Sequence, residues 1–145
     1  MTFPPIGHYA HEAYSAGHLP LIDDAALSDL LVALDNDNDA VVLFVSNFVG
    51  QWPDRVRRIV ERLRAHDAPG AVTAVLSVSV SSQMIGATWL TSLSTELEQL
   101  VRIDDFAAGL DRIHALRSVG ARTLVELTDR LRQSELVRLG PDVLS

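Results

Sequence analysis

Residues 40–66, AVVLFVSNFVGQWPDRVRRIVERLRAH, decide the fold. The first six, Ala40 to Val45, read locally as a buried strand because β-branched residues dominate them. Across the whole stretch, however, Val41, Phe44, Val45, Phe48, Trp52, Val56, Ile59, Val60 and Leu63 recur every three or four residues. Arg55, Arg58 and Arg62 fall on other faces of the same helix. A long window separates the two periods better than six residues do, and it predicts a helix. Pro53 then kinks that helix rather than ending it.

The same conflict recurs downstream. Val72, Val75, Val78 and Val80 are strand-favouring residues, and Gly86 suits a turn. From Ala87 to Ile103 the pattern is plainer: Leu90, Leu93, Leu97 and Leu100 make one apolar stripe, with Glu96 and Glu98 expected to face outward. Residues 104–136 place Phe106, Leu110, Ile113, Leu116, Gly120, Leu124, Leu127 and Leu131 near heptad spacing. Asp104 and Asp105 suit that helix's start, and Gly140-Pro141 ends the pattern. Upstream, Asp23 or Asp24 caps a short helix carrying Leu27, Leu30, Leu31 and Leu34. Asp35-Asn36-Asp37-Asn38-Asp39 breaks the chain, with Asp39 placed to cap the next element. Residues 1–20 hold no period and read as an irregular arm; residues 21–140 read as the folded body.

Two architectures accommodate these signals. One is all-α, an antiparallel four-helix bundle with an extra N-terminal helix, its helices near 22–34, 40–66, 69–84, 87–102 and 105–136. The other is a thioredoxin-like α/β domain with strands at 41–46, 71–80, 86–93 and 96–103, and Gln51-Trp52-Pro53-Asp54 at the redox corner. The second lacks both cysteines and the later proline such a domain needs. The bundle is the expected fold.

Composition narrows the function classes. A chain of 145 residues, 48% hydrophobic and 21% charged, suits one domain with a real core. It has no cysteine, so disulfides, thiol nucleophiles and cysteine-ligated metals are excluded. No run of about 18 apolar residues suggests a membrane span and no leader pattern opens the chain, so a cytoplasmic location is expected. The net charge is −7, all 12 basic residues are arginine, and none precedes Arg55. Such a chain is a poor nucleic-acid binder, because phosphate neutralisation supplies most of that affinity.

The order of residues from Leu21 onward resembles the histidine-containing phosphotransfer (HPt) domain, a helical bundle of bacterial phosphorelays. The aspartate-led opening Ile22-Asp23-Asp24-Ala25-Ala26-Leu27 is similar to the family's first helix. Phe48, then Trp52-Pro53-Asp54-Arg55-Val56 and a run to Leu63, resembles its second. Asp67 resembles the aspartate that begins the helix bearing the phosphorylated histidine, nine residues on. Gly86-Ala87, Leu90 and Glu96-Leu97-Glu98 fall in the same register.

The departures carry as much information. The resemblance puts Leu76 in the histidine's place, Ser79 in that of a lysine and Val80 in that of a glycine. Leucine has no nucleophilic nitrogen to take a phosphoryl group, and serine cannot offset phosphate charge as lysine does. His66 and His114 lack the neighbouring pattern to substitute. The resemblance therefore implies a degenerate, non-catalytic member: not an enzyme, without a cofactor, binding a receiver domain or a histidine kinase without carrying phosphate. If Val75, Val78, Ser82 and Ile85 face the core, then Leu76, Ser79, Val80 and Gln83 share the outer face of the helix. Arg55, Arg58 and Arg62 are expected to rim that docking spot.

Two readings of other classes stand beside this one. His8, His11, Glu12 and His18 place three imidazoles and a carboxylate within eleven residues, which could serve a divalent metal in an enzyme, although the spacing matches no strong motif. The near-heptad last helix could instead make a homodimer or scaffold. Ser77, Ser79, Ser81 and Ser82 have no Asp–His pair to activate them. Trp52 and Trp89 are expected in the core, and the Asp-Asn run lacks the glycine and closing glutamate of a calcium loop.

Overall fold

A computed structural model describes residues 20–139 and shows five helices with no strand among them. They are α1 (Asp24–Ala33), α2 (Asn38–Arg64), α3 (Ala68–Met84), α4 (Thr88–Arg102) and α5 (Phe106–Leu139). The expected all-α bundle is therefore what the chain forms, and the thioredoxin-like alternative is excluded. The valine-rich stretches of α2 and α3 are helical because their period places Val45, Val56, Val60, Val75 and Val78 against other helices. Val45, Phe48, Trp52, Val56, Ile59, Val60 and Leu63 are all buried along α2. Burial of that many large side chains outweighs the few tenths of a kcal/mol by which each valine disfavours a helix. The helix runs through Pro53 without ending.

Turn chemistry sets where each helix stops. Asp35 and Asn36 adopt φ of 57° and 59°, a left-handed pair that short polar side chains tolerate. They close α1, with Asn36 N–H donating to the Leu31 carbonyl at 2.8 Å. The cap of α2 is Asp37, not the expected Asp39: the Asp37 carboxylate accepts from Ala40 N–H at 3.1 Å. His66 (φ 54°) and Asp104 (φ 57°) turn the chain after α2 and α4. Asp67 and Asp105 then cap α3 and α5 by accepting from Gly70 and Ala108 N–H. Gly86 turns the third corner at φ +77°, where a β-carbon would run into the Asp23 carbonyl.

Three-residue connections make α2 to α5 antiparallel neighbours, α3 against α2 and α4, and α5 against α4 and α2. At 27 and 34 residues, α2 and α5 outrun α3 and α4, which have 17 and 15. The excess of ten or more residues leaves roughly 15 Å of the long pair uncovered at one end. There α1 packs on α2 and α3 through buried Leu30, with Ile22 buried beside it. Asp23 N–H donates to the Gly86 carbonyl at 2.7 Å, and Arg130 of α5 reaches Asp24 at 2.8 Å. The last helix runs unbroken through Gly120. Gly120 makes room for the Trp52 indole, which a β-carbon would strike.

One expectation about the core is corrected. Glu96 does not face outward but is 4% exposed on α4, against Arg112 of α5. Arg112 Nε lies 3.1 Å from Glu96 Oε1, and its Nη2 donates to Oε2 at 3.3 Å. An arginine on the next helix, ion-paired to it and donating one hydrogen bond, lets the carboxylate sit inside the stripe that charge alone would have kept it out of. Glu98 lies nearer the surface and pairs with Arg102 at 2.9 Å.

Candidate functional site

Exposed large apolar residues occur singly at Val32, Leu43, Ile103 and Val125, whereas the outer face of α3 carries three of them on one helix side. Toward the core, the helix presents Ala71, Ala74, Val75, Val78 and Ser82, all buried. On the opposite side Leu76 is 36% exposed, Val80 54% and Met84 43%. Spaced four apart, these three form one apolar strip about 12 Å long. Gln83 is exposed beside it, and Ser79 is half-buried on the flank away from Ser77 and Ser81. Met84 was not among the residues singled out from sequence, although its spacing of four from Val80 was a readable signal.

The three arginines expected around this strip have different roles. Arg55 crosses from α2 onto α3: its Nη1 donates to the Ser77 carbonyl at 3.1 Å and to Ser81 Oγ at 2.9 Å. Its Nη2 donates to Gln51 Oε1 at 2.9 Å, and the guanidinium lies 5.9 Å above the Phe48 ring. Burial, and then the like charge of Arg58, lower the Arg55 pKa from its ordinary value. Arg58 is exposed one turn further along α2. Arg62 is held at the helix corner by Asp67, 3.2 Å away, and so belongs to the α3 cap rather than to the middle of the strip.

Neither imidazole in the described part of the chain lies on α3. His66 is in the α2–α3 corner, stacked on Phe106 with ring centres 4.6 Å apart. His114 lies on α5, in the groove it shares with Val60, Arg64, Leu110, Ile113 and Arg117 between α2 and α5. The remaining metal candidates, His8, His11, Glu12 and His18, lie outside the described residues. Among the described residues no group of three or more His, Asp or Glu side chains is placed to hold a metal. No described helix is long and apolar enough to cross a membrane. Along α5, Phe106, Ile113, Leu116 and Leu127 are buried, and Leu110, Leu124 and Leu131 pack against the core. The near-heptad seam thus faces the bundle, and a homodimer built on this helix would use its other side. Trp52 and Trp89 are core residues, as expected.

No protein-family model matches this chain, and no curated protein sequence does. Among solved structures it is similar to the crystal structure of histidine-containing phosphotransfer protein B (HptB) from Pseudomonas aeruginosa PAO1. The TM-score is 0.70 at 22% identity, covering 79% of this chain and 96% of that one. The likeness establishes that the chain has the bundle fold of that protein.

Proposed function

We propose that this chain is a phosphorelay docking module, which binds a receiver domain through the outer face of α3 without carrying phosphate itself. The observation that carries the reading is the strip Leu76–Val80–Met84, solvent-facing on a helix that contains no histidine. The fold shared with a phosphotransfer protein supports the surroundings of that strip, and the register of Asp67, Gly86 and Ala87 supports placing Leu76 where a phosphorylated histidine would stand. An apolar patch rimmed by polar residues is the usual mark of a protein contact. With Leu76 at the position the resemblance gives to the histidine, the contact can form but the imidazole nitrogen needed for phosphoryl transfer is missing. Under this reading a histidine kinase is a second possible partner through the same face.

The test is a titration of the full chain with the receiver domains encoded in its own genome. Saturable binding to at least one, reduced more than about tenfold by Val80→Asp, is the expected result, since a carboxylate in a dry contact costs over 1.4 kcal/mol. Binding that Val80→Asp leaves untouched would remove this face from the account.

A further inference from the structure

Three arginines of the described chain are partly buried against a neighbouring helix, and they differ in what neutralises them. Arg112 has Glu96. Arg130 has Asp24 and Glu126, at 2.8 and 2.9 Å. Arg55 has only neutral oxygens: the Ser77 carbonyl, Ser81 Oγ and Gln51 Oε1. The charge that bears on it, that of Arg58, has the same sign. Arg58 itself has no carboxylate partner among the described residues. A guanidinium offers five N–H donors. Two on Nη1 and one on Nη2 are engaged, which leaves Nε–H and one Nη2–H of Arg55 without an acceptor among the described residues. Nε and Nη2 are one of the two nitrogen pairs through which a guanidinium forks onto a carboxylate or phosphate.

The contacts already made fix the guanidinium in place, so an incoming anion would not have to order it. Desolvation without a counter-charge is costly, and an anion arriving here would offset both the burial of Arg55 and its repulsion from Arg58. We propose that Arg55 and Arg58 form a receptor for a two-oxygen anion, a carboxylate or phosphoryl group, at the α2–α3 junction. Taken with the docking surface, on which this step rests, the anion is a carboxylate that the partner lays beside the Leu76–Val80 strip.

Arginine side-chain NMR of the full chain, titrated with inorganic phosphate and with acetate at constant ionic strength, tests the receptor. The Arg55 Nε–H resonance should follow a saturable curve, while those of Arg64 and Arg117, likewise without an ion pair among the described residues, drift without saturating. Arg58→Gln, a change at an exposed position, should weaken the saturable binding about threefold, the worth of one exposed ion pair. Arg55 responding no more than Arg64 and Arg117, or titrating identically in Arg58→Gln, would overturn the receptor. The receiver titration separates this from the docking proposal. Weaker receiver binding by Arg58→Gln supports a partner carboxylate. Equal receiver binding with phosphate still held assigns the site to a free anion. If phosphate binds and no receiver does, the receptor stands and the docking surface falls.

Discussion

The two faces of α3 use the same residue type to opposite ends. Val78 is 0% exposed and Val80, two positions on, is 54% exposed. Inside, a valine's weak helix propensity is outweighed by about 1.5 kcal/mol or more of apolar burial. Outside the gain is smaller, and least at Val80, which therefore contributes little to folding. What the contrast teaches is that the inner face accounts for the fold, whereas the outer strip does not, any more than exposed Leu43 on α2 or Val125 on α5 does.

The largest expected effect breaks the comparison directly. Val78→Asp should cost on the order of 4 kcal/mol in urea unfolding, because it buries a carboxylate with no partner. Val80→Asp should stay within about 0.5 kcal/mol of the parent chain. Equal losses at the two positions would mean that the faces are misassigned. Next in size, Gly120→Val should cost about 3 kcal/mol, since its β-carbon meets the Trp52 indole inside the bundle. Glu96→Ala follows at about 2 kcal/mol: it strands Arg112, whose side chain is 28% exposed and recovers part of the loss from water. The smallest effect is on the solvent side, at Asp24. The hydrogen bond from Arg130, helped by its charge, holds this carboxyl below the usual carboxylate range against an opposing push from burial. A depressed carboxyl pKa stabilises the fold above that range and loses the contribution as pH falls through the folded value. Asp24→Asn should therefore lower Tm by no more than about 2 °C at neutral pH, the difference closing in acid, as thermal melts at several pH values would show.

The helices after α1 were legible because each runs fifteen or more residues, long enough for the apolar period to overrule local valine content. The outward positions of Leu76, Val80 and Gln83 followed from the same period. What escaped was set by neighbours distant in sequence. Glu96 is buried because Arg112 stands opposite it on another helix, sixteen residues away. Asp37 rather than Asp39 caps α2 because two successive left-handed residues, Asp35 and Asn36, shorten the turn. The fork of Arg55 onto Ser77 and Ser81 depends on how α2 and α3 lie side by side, which no single-helix pattern encodes.

The central claim is that this bundle engages a phosphorelay partner without taking its phosphate. The most direct measurement is to incubate the full chain with a radiolabelled phosphorylated receiver to which it binds, and to follow both the complex and the label. The account predicts a complex with the label remaining on the receiver. Acid-labile phosphate accumulating on this chain, at His66, His114 or any other histidine, would contradict it.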